Sequence, residues 1–231
     1  MDADASNTLA RACRSIESMM RAEEPDIIID ARERCEVAGM PQGFASQASF
    51  LRLQANALGA RSVILIGSAC VVEALYLLLA LAGDRPRLGQ LTVVDSDPEA
   101  CDLLRHAFER GVASRDYDHR AKLRVVSADL PRFLHRLNAG DYDLMVVSGQ
   151  MDNYRPAIDE ANHLLRRNGV LMVADALAFA SDADEGGILN PASRSPKATG
   201  MRELIPELLE DERFVTSLVP VGTGLVMAVK A

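Results

Sequence analysis

Two short segments of the sequence carry residue types that could contact a ligand at the end of a β-strand. Gly67 and Ser68 interrupt the chain after a β-branched apolar run at 62–66, and Asp95 ends a second apolar run at 91–94. In a doubly wound βαβ unit the ligand binds where the turn after the first strand meets the next helix. A carboxylate that ends the second strand can accept hydrogen bonds from both ribose hydroxyls of an adenosine-type ligand. The spacing therefore predicts a nucleoside site.

The segment that links these residues has the pattern of a βαβ unit. Residues 71–82 are apolar on nearly every face, as expected of a helix buried against a sheet. Strand-like and helix-like segments continue to alternate along the chain. This pattern predicts further strands at 122–127, 142–147, 170–173, 213–219 and 224–229. We therefore predict an α/β fold, a doubly wound Rossmann-like sheet of seven mostly parallel strands with a C-terminal antiparallel hairpin and helices on both faces.

Helices are predicted between the strands and ahead of the first one. Their expected bounds are 6–23, 25–36, 46–58, 71–82, 98–110, 128–138, 154–167 and 200–211. Ser6 or Asn7 is expected to cap the first helix, Asn168 and Gly169 to close the helix that begins at 154, and 181–199 to form a long loop. We expect one domain over 1–231, with 1–60 as a helical cover and 61–231 as the sheet core.

The bulk composition excludes several classes of protein. Of 231 residues, 48% are hydrophobic and 25% are charged, so a long disordered chain is not expected. The net charge is −8 without any basic block, which argues against a nucleic-acid partner bound through its phosphates. The four cysteines show no CxxC spacing, and the first residues are polar and acidic rather than secretory. A cytoplasmic protein with reduced thiols is expected.

One membrane alternative arises from the hydropathy of residues 62–83, which contain a single charged side chain, Glu73. The break at Gly67 and Ser68, with β-branched residues before it, favours a strand followed by a turn. A spanning helix here would also leave the downstream strands without a partner. The sequence therefore predicts no membrane association.

Several segments, taken in their order and spacing, resemble a known family. They are AGMPQ at 38–42 followed by FL at 50–51, LTVVDSDPE at 91–99, YDLMVV at 142–147, LLRRNGVL at 164–171 and VPVGTGL at 219–225. Together they resemble the small S-adenosylmethionine-dependent O-methyltransferases of the catechol and caffeoyl-CoA type, especially the bacterial members. The resemblance implies that Asp95 binds the cofactor ribose, that methyl transfer goes to a small hydroxylated acceptor, and that the protein is a homodimer.

The cofactor turn departs from the pattern of that family, which reads roughly E-I-G-T-G-x-G at 65–71. Leu65 stands where the family acid receives the methionine ammonium group, and Ala69 and Val71 replace two glycines. Glycine there lets backbone and ligand approach closely, so a valine side chain could intrude on the cofactor. Glu73 falls where a small hydroxyl residue often helps to bind the cofactor, and it could replace the missing acid.

Further candidate cofactor residues follow from the same resemblance. Ser96 comes directly after the ribose-binding acid. Ala128 and Asp129 resemble the family's adenine-contacting pair, although Asp129 equally fits a helix N-cap. Ser148, directly after the fourth predicted strand, completes the set of candidate cofactor contacts.

The family's metal site is altered as well. Ser148 stands where the family has its first metal acid, Met151 where it has the catalytic lysine, and Ala174 and Asp175 where it has an Asp-Asn pair. Mg²⁺ usually needs a couple of carboxylates plus substrate oxygens and water, so a lone Asp175 predicts that no family-type divalent metal binds. The acceptor would then be acidic itself, or use Asp152 or Asp175 as a base, although both also fit solvated loop carboxylates.

Two other functions stay open on the sequence alone. One is a catalytically inactive homologue that keeps the fold and the dimer and has a binding or interaction role. The other is an α/β enzyme with a nicotinamide cofactor, against which the terminal hairpin and the missing GxGxxG argue. No catalytic pairing is expected of the histidines, which are interpreted as surface or packing residues: His106, His119, His135 and His163.

Overall fold

The computed structural model describes residues 3–82, 88–114, 121–178 and 187–231. The helices are α1 (Ala3–Ala22), α2 (Asp26–Val37), α3 (Ala45–Ala57), α4 (Val71–Leu81), α5 (Pro98–Ser114), α6 (Leu130–Leu134), α7 (Tyr154–Leu164) and α8 (Pro196–Glu210). The strands are β1 (Ser62–Gly67), β2 (Gly89–Asp95), β3 (Ala121–Val126), β4 (Tyr142–Val147), β5 (Leu165–Val173), β6 (Phe214–Val219) and β7 (Leu225–Lys230). His119 and residues 181–186 of the predicted loop lie outside the described residues.

Seven strands form one sheet in the order β3-β2-β1-β4-β5-β7-β6. The pairs among β1 to β5 are parallel, whereas β7 runs antiparallel to both β5 and β6. The predicted fold class is therefore confirmed, and the structure adds that β7 inserts between β5 and β6. The register pairs Gly67 with Asp95 and Ile66 with Val147, so the carboxyl ends of β2, β1 and β4 meet at one edge.

The sheet separates two hydrophobic cores because successive side chains of a strand point to opposite faces. On one face, Val63 and Leu65 of β1 pack with residues of α2, α3, α4 and α5. On the other face, Ile64 and Ile66 pack with residues of α6, α7 and α8. Helices therefore cover both faces, and α2 and α3 share a core with the sheet.

Polar contacts fasten the N-terminal helices to the chain that follows them. Glu17 of α1 accepts hydrogen bonds from two backbone N–H groups at the start of α3, at 2.7 and 2.9 Å. The buried Arg32 pairs with the buried Glu24 at 2.6 Å and donates to the Gly43 carbonyl at 2.8 Å. These bonds fix the loop between α2 and α3 against the first two helices.

The end of α7 differs from the prediction. The helix ends at Leu164, and β5 begins at the next residue. Asn168 does have a left-handed backbone, with φ +61°, but it lies inside β5 at a point where the register against β4 shifts. The left-handed residue and Gly169 therefore belong to a strand irregularity, and their prediction as a helix cap was wrong.

Other helix ends also differ from the predicted bounds. α8 begins at Pro196 rather than 200, because the Ser195 hydroxyl accepts the Ala198 N–H at 3.2 Å and proline suits the first turn. α6 is shorter than predicted, and α1 begins ahead of Ser6 and Asn7, so neither caps it. None of the helices within the described ranges combines the length and apolarity that crossing a membrane requires.

The four cysteines are free, and only Cys13 is exposed.

Candidate functional site

The carboxyl ends of β1 and β2 open onto a cavity of about 280 Å³. It lies beside the boundary between β1 and β4, where the strand order reverses, and open α/β sheets bind ligands in such a crevice. Its lining includes four of the predicted cofactor residues and one predicted base: Gly67, Ser96, Ala128, Asp129 and Asp152. The fold therefore brings together the last residue of β1 and residues from the loops after β2, β3 and β4.

The turn between β1 and α4 contains an alanine in a conformation that favours glycine. Ala69 has φ +58°, in the left-handed region. Its N–H donates to Asp95 at 2.7 Å, and its carbonyl accepts from Gln42 Nε2 at 2.8 Å. The other end of the Gln42 amide accepts the Val72 N–H at 3.0 Å, which satisfies a free donor in the first turn of α4. The turn is thus fixed from β2 and from the loop before α3.

Asp95 is buried, with 4% of its surface exposed, and joins two turns. One carboxylate oxygen accepts the Ala69 N–H, and the other accepts the Asp97 N–H at 2.9 Å. Burial raises the pKa of the Asp95 carboxyl, and the two backbone donors act in the opposite direction. Asp95 is not among the residues that line the cavity, so a ligand must reach past that lining to use the second lone pair of either oxygen.

Two substitutions in the family's cofactor pattern lie away from the cavity lining. Val71 is buried and lines a groove with Ala31 of α2 and with Leu103 and Ala107 of α5. Leu65 is fully buried in the core on that same face of the sheet. The valine side chain therefore lies outside the lining of the cavity at Gly67, and its intrusion on a bound cofactor stays a prediction.

Glu73 of α4 is buried and is not among the residues that line the cavity. No hydrogen-bond partner for its Oε2 is found among the residues that the structure describes, and its carboxyl group leaves no space for a Cβ at Gly43. Burial raises the pKa of Glu73 to about 7, with Asp175 acting in the same direction and Arg32 opposing it. The structure thus places this acid between α4 and the loop before α3.

The turn after β4 lies directly against the turn after β1. Gly149 has φ +85°, and a Cβ there would lie 2.6 Å from the backbone nitrogen of Ser68. Asn153 donates through Nδ2 to the Ser68 hydroxyl at 3.2 Å and to the Ser148 carbonyl at 3.1 Å. Because Asn153 also lines the cavity, it connects the cavity with the end of β4.

A second polar group, which we name the Asp175 cluster, lies beyond the end of β5. Asp175 has φ +54°, and its carboxylate accepts hydrogen bonds from Thr223 Oγ1 at 2.6 Å, Lys197 Nζ at 2.8 Å, Ser148 Oγ at 3.3 Å and Tyr154 Oη at 3.4 Å. The side chains of Asp175 and Lys197 are 23% and 28% exposed, so a ligand can reach both. Burial acts to raise the pKa of Asp175, but the Lys197 ammonium and the hydrogen bonds outweigh it and lower that pKa.

Lys197 reaches this cluster from the first turn of α8. Besides its ion pair with Asp175, the ammonium group donates to the Gly149 carbonyl at 2.8 Å. It also lies over the ring of the buried Tyr154, 5.3 Å from the ring centroid. The ammonium therefore bridges the loops that follow β4 and β5.

The two candidate bases lie in different surroundings. Asp152 is exposed at the rim of the cavity, whereas Asp175 is partly buried and ion-paired. Asp129 accepts the Arg132 N–H at 3.2 Å, so its interpretation as the N-cap of α6 is confirmed. The same residue lines the cavity, and a cap at that position is compatible with an additional ligand contact.

The residues of the site that the sequence did not indicate are Gln42, Asn153, Tyr154, Lys197 and Thr223. For one of them a local signal exists: the Ser-Pro pair at 195–196 is typical of a helix start and would place Lys197 in a first turn. The others join the site through contacts between segments far apart in the chain, for which no local pattern exists.

The side chains beyond β4 and β5 do not fit the divalent metal that the resemblance implies. Asp175 is one carboxylate, Ser148 offers a hydroxyl, and the Lys197 ammonium lies 2.8 Å from the carboxylate oxygen. Mg²⁺ is usually bound through carboxylates in near-octahedral geometry, and a cation already occupies this place. Within the ranges that the structure describes, no three His, Cys, Asp or Glu side chains are grouped so as to share an ion.

A mostly parallel sheet with a terminal antiparallel pair and a cavity at its switch point defines a Rossmann-like ligand-binding protein. The profile of the family described as O-methyltransferase matches residues 22–231. A probable O-methyltransferase of Mycobacterium tuberculosis is 30% identical over 208 residues, which cover 90% of this chain and 86% of that protein. The chain therefore belongs to the O-methyltransferase family, and the resemblance stated from its motifs is confirmed.

Solved structures share the fold. A Corynebacterium glutamicum protein superposes with a TM-score of 0.76 at 23% identity, over 95% of this chain and 97% of that one. The O-methyltransferase of Bacillus cereus, crystallised in complex with S-adenosylhomocysteine (SAH), superposes with a TM-score of 0.74 at 18% identity. That superposition covers 94% of this chain and 97% of the Bacillus protein.

Proposed function

We propose that this protein transfers the methyl group of S-adenosylmethionine to the hydroxyl oxygen of a small acceptor. The observation that carries the proposal is the convergence on one cavity of Gly67, at the end of β1, with Ser96, Ala128 and Asp129, from the loops after β2 and β3. Membership of the O-methyltransferase family supports the reaction type. The SAH bound by the Bacillus cereus neighbour supports the cofactor.

The nucleoside half of the cofactor is assigned to this cavity. In this proposal Ala128 and Asp129 contact the adenine, Asp95 and Ser96 contact the ribose, and Gly67 allows close approach. A cavity of about 280 Å³ lies near the lower end of the range of about 300–1,000 Å³ for ligand pockets, which suits a nucleoside better than the whole cofactor. The methionine half then extends past Ser68 and Ser148, toward the Asp175 cluster.

The acceptor is assigned to the exposed side of the Asp175 cluster. Methyl transfer to oxygen is an in-line displacement, so the site must align the hydroxyl with the methyl group and lower its proton affinity. Asp152 is the better candidate base, because it is exposed, and in the part of the chain that the structure describes it has no ammonium partner of the kind that holds Asp175 ionised. We propose that the reaction needs no divalent metal, since the donor set beyond β4 and β5 fits none.

A second candidate function, nucleoside binding without catalysis, is favoured by one observation. The family's acid for the methionine ammonium group is here Leu65, whose side chain is fully buried in the core. Glu73 has an unpartnered oxygen but lies outside the cavity lining, so its proposed replacement of that acid requires the cofactor to reach α4. The nicotinamide enzyme is set aside because the chain belongs to the O-methyltransferase family.

We further propose a single cytoplasmic domain that forms a homodimer. The core shared by α2, α3 and the sheet supports one domain, and the free thiols are typical of a reducing compartment. Exposed apolar side chains on α1 and α2 support self-association: Ile16 at 52%, Met19 at 63%, Ile29 at 40% and Val37 at 91% exposure. Sedimentation should give a dimer for the wild type and a monomer for the Ile16→Glu, Met19→Glu double variant, and a monomeric wild type would contradict the proposal.

The main test is calorimetric titration with S-adenosylmethionine and SAH, followed by incubation with a panel of phenols. Saturable binding of both, with a methylated product detected by mass spectrometry, is the expected result. Saturable SAH binding with no methylated product from any phenol favours the non-catalytic candidate. Absence of binding at millimolar concentration of either ligand contradicts both.

A further inference from the structure

We infer that the Lys197 ammonium group takes the place of a divalent metal at the acceptor site, and that the acceptor binds to it as an ionised phenol. This inference rests on the proposed function, which it deepens by naming the cation and the acceptor class. Lys197 is thereby a catalytic residue, because its Nζ contacts the reacting oxygen.

The position of the ammonium supports this role. Its partners are the Asp175 carboxylate and the Gly149 carbonyl, both at 2.8 Å, and they follow β5 and β4 respectively. These are the two strand ends from which the family pattern draws its metal acids. An ammonium group has three N–H donors, so two bonds to the protein leave one for a ligand. The Lys197 side chain is 28% exposed, so it is not sealed from the surface.

The surroundings hold the ammonium in one place. Tyr154 is fully buried and presents its ring to Nζ at 5.3 Å, while its hydroxyl donates to Asp175. Thr223 donates to the other carboxylate oxygen at 2.6 Å, which orients Asp175 toward the lysine. A cation fixed before the reaction stabilises charge on a bound oxygen without reorganisation during the reaction.

The chemistry balances with these groups alone. The acceptor hydroxyl first loses its proton, to the exposed Asp152 carboxylate or directly to solvent, and the phenolate binds against the ammonium. The phenolate oxygen then attacks the methyl carbon, the new C–O bond forms as the C–S bond breaks, and the electron pair remains on sulfur, which leaves SAH.

The first experiment asks whether the ammonium lies where a metal would. Mn²⁺ binding is followed by electron paramagnetic resonance on the full-length wild type, on Lys197→Met and on a Ser148→Asp, Lys197→Met double variant. We expect no binding to the wild type and binding to the double variant, which has two carboxylates and no ammonium. Tight Mn²⁺ binding by the wild type, or no binding by a double variant that unfolds cooperatively like the wild type, would overturn the inference.

The second experiment reads the acceptor site directly with 4-nitrocatechol, whose phenolate absorbs visible light, added to the SAH complex in EDTA. We expect the wild type to shift the bound probe toward its phenolate, and Lys197→Met to weaken that binding by about 10- to 100-fold. Lys197→Arg should restore part of the shift, and Lys122→Met, the same change on an exposed lysine of β3, should have no effect.

No spectral shift by the wild type, or a shift that needs Mg²⁺ and survives Lys197→Met, would overturn the inference. If the proposed function itself is wrong, calorimetry shows no SAH binding, and this result distinguishes that failure from a failure of the inference about Lys197. In that case the Mn²⁺ measurement still decides whether the ammonium has replaced the metal.

Discussion

The backbone N–H of Ala69 donates a hydrogen bond of 2.7 Å to the carboxylate of Asp95, and so ties the turn after β1 to the end of β2. The other oxygen of that carboxylate accepts the Asp97 N–H at 2.9 Å. A single acid therefore shapes two of the loops that border the cavity, in addition to its proposed contact with ribose.

Replacing Asp95 with asparagine should weaken both the fold and SAH binding. An amide has one acceptor oxygen, so one of the two part-buried N–H donors loses its partner, at a cost of about 1 kcal/mol in the free energy of unfolding. Urea denaturation measures this cost, and calorimetry should show SAH affinity reduced by about tenfold or more. Asp97→Asn is the matched control: the Asp97 carboxylate accepts the Glu99 N–H at 2.9 Å in the first turn of α5, and Asn caps a helix as well as Asp does. If Asp95→Asn has the wild-type stability and the wild-type SAH affinity, both the structural role of Asp95 and its assignment to the ribose are refuted.

Replacing Ala69 with glycine should preserve or raise stability. At φ +58° an alanine costs roughly 1–2 kcal/mol, whereas glycine adds about 0.4–1 kcal/mol of entropy to the unfolded chain. The net expectation is a free energy of unfolding up to about 1 kcal/mol higher, measured in urea. Ala12→Gly, on the exposed face of α1, should instead lower it by about 0.5–1 kcal/mol. An equal decrease in the free energy of unfolding in both variants would show that the turn at Ala69 relaxes in solution.

Glu73 should make stability depend on pH. Its pKa in the folded protein is about 7, above its ordinary value of 4.5, so the folded state binds more protons than the unfolded state between these values. Stability should therefore fall as the pH rises through that window, by roughly 3 kcal/mol at most, and then level off. Urea denaturation of Glu73→Gln should show the variant equal to the wild type near the lower end and more stable near about pH 8.

The control for this prediction is Glu33→Gln, which removes an exposed carboxylate of α2. It should leave the pH dependence of unfolding as it is in the wild type. If Glu73→Gln has the same profile as the wild type, a partner absent from the structure must satisfy Oε2 in solution.

Glu17 should act as the cap of α3, since the residue at its N-cap position, Phe44, has no side chain that can accept a hydrogen bond. The carboxylate accepts the N–H groups of Ala45 and Ser46 and the Ser46 hydroxyl, at 2.7, 2.9 and 2.7 Å. Glu17→Ala should lower stability by about 1–2 kcal/mol and speed amide exchange in the first turn of α3. Glu23→Ala, which removes an exposed charge just after α1, should change neither.

The sheet could be predicted because its strands are short apolar runs with clear breaks. Gly67 and Asp95 end β1 and β2 as their types suggest, and the terminal pair is antiparallel around a Pro-Val-Gly-Thr turn. Helix ends were less certain, because one residue type serves several geometries. Asn168 has the left-handed backbone expected of a helix cap, yet it uses that backbone in a strand.

The site could be predicted only where a single strand end supplies the residue. Gly67, Ser96, Ala128 and Asp129 were expected beside a ligand and line one cavity, although their contacts with the cofactor stay predictions. Lys197 could not be foreseen as a partner of Asp175, because the two meet only when α8 packs across the end of β5. Glu73 was considered for its position in the turn, and its burial depends on the packing of the loop at Gly43.

The amide of Asn153 contacts the Ser68 hydroxyl on one side and the Ser148 carbonyl on the other, while the residue borders the cavity. A ligand that binds in one half of the site and repositions this amide changes the free energy with which a second ligand binds in the other half. By thermodynamic reciprocity, the factor by which SAH alters phenol affinity must equal the factor by which the phenol alters SAH affinity. Cooperativity between the two ligands would then pass through one side chain, without any movement of domains.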